Sequence, residues 1–361
     1  MYMKKSLIYL ALLFIFTVCR AQTEVKQYVP GATAESVTYF LPKTALRLTV
    51  IAEKEVYTPG QFCKYANRYL RLTDVEQDGY TRWRITSIIL TPYGVPDATK
   101  SYSILFKKKT VAPLVSLTAD GIILGINCKG EEDAAPALPE LKEAKKHLNP
   151  RDYMSQDILS AGSNAKIAEL TAEEIYDLRE SRTALIKGEA DNMPKDGAQL
   201  RLMLEQLSLQ ETALSQLFKG IRDTTTEVFN IELTPTEYID KMVLFRFSEK
   251  LGILDGDDLA GDPIYLSLSQ VNVLPEPSEE ENEKKKGKPD DGVFYNVPGR
   301  ATAKVYSAEQ EFCKREIPMA QFGSVETLGS ALFDKKTPTQ VLFYSSNGGI
   351  KQIIETTSGE K

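Results

Sequence analysis

Apolar and polar positions alternate with a period of two through the first third of the chain. Leu46, Leu48 and Val50 are interleaved with Arg47 and Thr49, the pattern of a half-buried strand. The run Tyr80–Leu90 places Trp83, Ile85 and Ile89 on one alternation, and Tyr102, Ile104 and Phe106 repeat it. Asp120-Gly121 sets a turn before the apolar strand Ile122–Ile126. One short helix is expected after Thr58-Pro59-Gly60, where Phe62, Ala66, Tyr69 and Leu70 fall at helical spacing.

The period changes to helical between residues 163 and 220. Ser163 or Asn164 can cap a first helix that runs to Lys187, with Gly188 as its C-cap. A second runs from Ala198 to Lys219 and stops at Gly220; at 1.5 Å per residue it is ~33 Å long. Ile175, Leu178, Arg182 and Leu185 follow a heptad-like 3-4-3 spacing, as do Leu200, Leu204, Leu207, Glu211, Leu214 and Phe218, so a coiled-coil-like seam is expected. Each stripe carries one charge. A loop centred near residues 192–193 sets Arg182 opposite Met203 and Glu211 opposite Glu174. The two charges are then about eight residues, or ~12 Å, out of step, and are not expected to pair. They are the candidate partner-binding residues.

Strand patterns return after residue 220, over Val228–Leu233, Val243–Phe247, Pro263–Val273, Thr302–Tyr306 and Gln340–Tyr344. Asn347-Gly348-Gly349 is a hairpin signal before Ile350–Ile354. The expected fold is α+β, with β-sandwich-like regions flanking a long antiparallel helical hairpin. Its divisions are a signal peptide (1–21), an N-terminal β-rich region (22–128), a linker (129–162), the hairpin (163–220) and a C-terminal β-rich region (221–361). The last contains EPSEEENEKKKGKPDD (276–291), a low-complexity charged loop expected to be disordered. The linker is long enough to let the two β-regions pair into one unit.

Composition narrows the function classes. With 361 residues, 42% hydrophobic and 26% charged, the chain is an ordinary globular one. Lys4 and Lys5 precede an apolar stretch, Ser6–Val18, too short for a ~20-residue membrane span, and Cys19-Arg20-Ala21 offers a cleavage site after Ala21. Phe16 and Val18 make a poor lipobox, so cleavage is expected rather than lipidation at Cys19. No transmembrane span remains after signal removal. The mature chain keeps 41 basic against 50 acidic residues, net −9, which disfavours nucleic-acid partners.

The chemistry inventory is sparse. Cys63, Cys128 and Cys313 are far apart and odd in number, and are read as small buried hydrophobes. The single histidine, His147, sits beside charged linker residues and is read as solvated, which disfavours both zinc chemistry and a Ser-His-Asp triad. LDGDDLAGD (254–262) groups four aspartates, but with Asp255 first the fifth position is Leu259, so the EF-hand pattern fails and a solvated turn is expected. Trp83 lies on a strand pattern that predicts core rather than a glycan platform, although 17 tyrosines leave that use open. No phosphate loop or dinucleotide fingerprint is present. No catalytic, cofactor-binding or metal residue is assigned.

Several segments carry a resemblance. AGSNAKIAELTAEEIYDLRESRTALIKGEADNMP followed by KDGAQLRLMLEQLSLQETALSQLFKG resembles a domain-of-unknown-function family of exported Bacteroidota envelope proteins. YFLPKTALRLTVIAEKEVYTPGQFCKYANRYL, FSEKLGILDGDDLAGDPIYL and AQFGSVETL are similar to other parts of the same family. The resemblance implies an exported protein, periplasmic or outer-membrane associated, and transfers no catalytic residue. The expected function is therefore a non-enzymatic envelope protein that binds another envelope or outer-membrane protein. The alternatives are a hydrolase of glycan or peptide, or a glycan-binding module.

Overall fold

A computed structural model describes residues 24–27, 36–105, 114–143, 146–271, 292–329 and 339–355. The signal sequence with Cys19 and Ala21, and the charged loop 276–291, lie outside the described residues. The elements in chain order begin with β1 (Glu24–Gln27), β2 (Ser36–Thr58), α1 (Ala66–Leu70), β3 (Tyr80–Leu105), β4 (Val115–Leu117) and β5 (Ile123–Ile126). Three helices follow, α2 (Gln156–Ser160), α3 (Asn164–Lys187) and α4 (Gly197–Lys219). The chain then continues with β6 (Ile221–Leu233), β7 (Ile239–Ser248), β8 (Gly252–Leu254) and β9 (Asp262–Gln270). It closes with β10 (Val293–Tyr306), β11 (Glu311–Leu328), β12 (Thr339–Phe343) and β13 (Ile350–Glu355).

The strands form three antiparallel sheets, ordered β1-β3-β2-β6, β11-β10-β9-β7-β8 and β13-β12-β5-β4. This corrects the α+β expectation. The protein is mostly β, with 48% of the described residues in strands and 23% helical. The β-regions do not flank a helical hairpin as separate sandwich-like units. β2 is hydrogen-bonded to β6, and β5 to β12, so strands from before and after the helices share sheets.

Bulges explain why the strand content was under-read. β2 and β3 are 23 and 26 residues long, and their pairing shifts register at Phe40/Pro42 and Ile51/Ala52. A bulge resets the alternation, so one long strand reads in sequence as several short ones. At the second shift the pairing passes from Ser87 to Ile85, and the hydroxyl of the skipped Thr86 donates to the Ile51 carbonyl. The inward face of β3 therefore continues through Ile88 and Leu90, with Ile89 off it, while Trp83 is buried as the sequence indicated.

Two cores lie along the long strands. In the first, Leu46, Leu48 and Val50 pack against Leu266, Leu268, Ala303, Val305 and Met319 of the five-stranded sheet. In the second, Tyr39, Leu41 and Ile104 meet Ile123, Ile126, Val341 and Phe343. A buried polar junction joins them. Thr44 Oγ1 donates to the Ser346 carbonyl and accepts from the Ala320 N–H. Asn296 Nδ2 donates to the carbonyls of Pro42 and Asn347.

A third core joins the helices to the loop after β2. Phe62, Ala66 and Leu70 pack with Ala168, Ala172, Ile175, Leu214 and Phe218. The C-terminal end of α4 is fixed by Gly220, whose φ is +73° and where a Cβ would run into the Thr58 carbonyl and the Tyr57 ring. Only glycine fits there without strain.

The segment after β5 straps the outer face of the first sheet. Lys142 donates its N–H to Thr226 Oγ1 and accepts from the Thr226 N–H. His147 Nε2 lies 2.5 Å from Asp223 Oδ1 and is half-buried, which corrects its reading as a solvated linker residue. The strap brings it onto β6, where it finds a carboxylate.

Candidate binding surfaces

The helix pair has a buried half and an exposed half. α3 starts with Ser163 Oγ accepting the Lys166 N–H, and ends at Gly188 in the left-handed region. α4 starts with Asp196 capping Gln199. Near the sheet, Ile175, Leu178, Leu214 and Phe218 are buried. At the far end the same amphipathic pattern has nothing to cover it. Ile186 is 67% exposed and Leu202 57%, and Met193, Met203 and Leu209 are exposed beside them. A groove of about 670 Å³ runs there between Leu185, the turn Glu189–Asn192, Met203 and Leu207. The heptad-like stripe therefore closes through α1 at its base rather than as a coiled coil along its length.

Arg182 and Glu211 meet at the boundary between the two halves, contrary to the expected register. Arg182 Nη1 donates to Glu211 Oε2 at 2.8 Å, and Arg179 Nε to Glu211 Oε1 at 2.7 Å. The expectation placed the midpoint of the connection at the midpoint of the pair. Instead, α4 extends roughly two turns beyond the end of α3, and the chain between them runs alongside that extension. Residues 189–192 accordingly line the same groove as Leu202 and Met203. Glu211 is thereby lowered to the level of Arg179 and Arg182, and one carboxylate holds two guanidiniums.

The second surface is a charged cleft on the outer face of the first sheet, under the strap. Cross-strand register sets Tyr57 between Tyr80 and Arg222, Glu55 between Arg82 and Thr224, and Glu53 between Arg84 and Thr226. The Tyr57 and Tyr80 rings stack with centroids 5.3 Å apart. The Arg82 guanidinium lies 5.1 Å from the Tyr80 centroid, and that of Arg222 lies 5.3 Å from the Tyr57 centroid. Glu53 accepts from Lys142 and from Arg84, both at 2.6 Å. Those hydrogen bonds, Lys142 first, hold its carboxyl below the usual range. The Tyr80 hydroxyl donates to Glu55 at 2.7 Å, which raises the Tyr80 pKa. The cleft encloses about 680 Å³. Sequence reasoning missed it, because its residues come from three strands and the strap, and no spacing within one segment marks them.

Other candidates carry less. Among the described residues no group of three or more His, Cys, Asp or Glu side chains could hold a metal ion. Asp255–Asp258 form an exposed turn, and its carbonyl at Gly256 accepts from Arg246. Cys63, Cys128 and Cys313 are free thiols, and burial pushes the pKa values of Cys128 and Cys313 up, away from the reactive thiolate. No helix of the described residues is long and apolar enough to cross a membrane.

No curated protein and no solved structure matches the chain. A family model matches residues 35–351, which take in both long helices and every strand but β1 and most of β13, and the chain belongs to the family of that domain of unknown function, DUF4831.

Proposed function

We propose that the protein is an exported, non-enzymatic component of the cell envelope that binds another envelope or outer-membrane protein through the far end of the α3–α4 pair. The observation that carries this reading is the cluster of exposed apolar side chains there: Ile186, Met193, Leu202, Met203 and Leu209. Large side chains gathered on one projecting end cost solvation unless a partner covers them, and such clusters mark protein interfaces. Arg179, Arg182 and Glu211 border the surface and fix the helix spacing beneath it. Amphipathic helix surfaces of this kind dock in grooves or against other helices. The charged n-region, apolar stretch and cleavage site of residues 1–21 support export, as does the resemblance to Bacteroidota envelope proteins.

The test is co-purification from detergent-extracted envelopes with a tag at the C-terminus, followed by mass spectrometry. The expected result is a stoichiometric envelope protein that is lost in a Leu202→Asp, Met203→Asp, Leu209→Asp variant whose melting temperature matches the parent. A clean monomer, or a partner that the triple variant retains, overturns the reading.

A further inference from the structure

We propose that the cleft under the strap is a binding site for a small hydroxylated acid, a sugar acid or sugar phosphate, whose anionic group is held by Arg82 and Arg222. Each guanidinium rests on one ring of the stacked Tyr57–Tyr80 pair. Stacking fixes a guanidinium plane while leaving its five N–H donors available. Three other charges of the cleft, Glu53, Arg84 and Lys142, are paired among themselves. Glu55 accepts from the Tyr80 hydroxyl. Among the described residues, Arg82 has no carboxylate within ion-pair distance. The ion pair of Arg222, with Glu76, is long at 3.7 Å and solvent-exposed. Two oriented guanidinium forks without a tight carboxylate match the bidentate recognition of an oxyanion.

The remaining lining sets the rest of the ligand. Glu55, Glu143 and the Thr224 hydroxyl border the same space. Carboxylates accept hydrogen bonds from hydroxyls but repel further anionic groups, which selects a ligand with one acidic group and several hydroxyls. The wall formed by Lys142 and Glu143 is held in place by the reciprocal Lys142–Thr226 hydrogen bonds and by His147 on Asp223. A volume of about 680 Å³ lies within the range of small-ligand sites. The cleft uses neither α3 nor α4, so this site and the helix-end surface stand or fall separately.

The test is calorimetric titration of the mature chain at low ionic strength with glucuronate, glucose 6-phosphate and neutral glucose. At least one charged sugar is expected to bind saturably, and glucose is not. Which of the two binds identifies carboxylate or phosphate as the anionic group. Arg82→Ala and Arg222→Ala are each expected to weaken binding by about tenfold or more, and Arg82→Lys, which keeps the charge but loses the fork, to weaken it less. Arg300→Ala, on the other sheet, leaves it unchanged. Far-UV circular dichroism checks that each variant folds. The proposal is overturned if neither charged sugar binds, if glucose binds equally well, or if both alanine variants bind like the parent.

Discussion

Asp97 is 3% exposed, and its carboxylate is satisfied on the spot. Oδ1 accepts from the Thr99 N–H at 3.0 Å, from the Thr99 hydroxyl at 2.6 Å, and pairs with Lys43 Nζ at 3.2 Å. Burial pushes the acid upward, but the Thr99 hydrogen bonds and Lys43 outweigh it and leave the pKa below the ordinary value. A folded-state pKa below the unfolded one, near ~3.9, contributes stability that is complete above that pH. That contribution is lost as pH falls through the folded-state value. The melting temperature is therefore expected to drop on acidification below about pH 4. Asp97→Asn is expected to lower the melting temperature at neutral pH and to flatten that acid limb. Thermal melts of both proteins from neutral to acid pH check it, and parallel acid limbs would assign the drop to other groups. At this scale the sequence was legible wherever a residue's role follows from its own strand. Leu46, Leu48, Val50 and Trp83 were read as core and are buried. Arg82 and Arg222 were not singled out, because they are 140 positions apart and gain meaning only through the strands between them.

The α3–α4 pair shows how the limits of two helices can be legible while their mutual register is not. Residue spacing locates helix boundaries through caps such as Ser163, Asp196 and Gly188. It does not say how the connection lies, and an asymmetric connection shifts every facing pair by whole turns. The long strands failed in a related way, since the bulges at Phe40/Pro42 and Ile51/Ala52 break an alternation that the backbone continues through. The observed register makes a definite prediction. Glu211 is 17% exposed and, among the described residues, is the one carboxylate that both Arg179 and Arg182 reach. Glu211→Ala leaves two neighbouring guanidiniums on α3 without the carboxylate that faced them from α4 and is expected to cost about 1 kcal/mol, limited by the partial exposure of the arginines. Arg182→Ala removes one of the two bonds and is expected to cost less. Urea denaturation followed at 222 nm measures both. If Arg182→Ala with Glu211→Ala is simply additive, the contact contributes nothing.

The three sheets are coupled through chain ends that are far apart in sequence, and this sets how the whole molecule responds to truncation. β12 inserts Val341 and Phe343, both essentially inaccessible, between Tyr39, Leu41 and Ile104 of the long strands. The turn after it supplies the Ser346 carbonyl to Thr44 and the Asn347 carbonyl to Asn296. Removing residues 339–361 thus strips one side of a core and orphans buried polar groups on β2 and β10 in the same cut. Loss of a buried phenylalanine alone costs about 3–5 kcal/mol, and each orphaned buried polar group about 1–3 kcal/mol, against a typical total of about 5–15 kcal/mol. The chain truncated after residue 338 is therefore expected to lose its cooperative thermal transition or to accumulate as insoluble protein. Opening the chain by proteolysis within 189–193, at the exposed end of the helix pair, is expected to leave the transition in place, because the sheets and the first two cores, and the buried Ile175, Leu178, Leu214 and Phe218 of the third, lie on the other side of the Arg182–Glu211 contact. Calorimetry of the two proteins side by side decides the matter. A truncated chain that still melts cooperatively near the parent temperature would mean that the second core is an appendage, and that β2 and β3 are held by the first core alone.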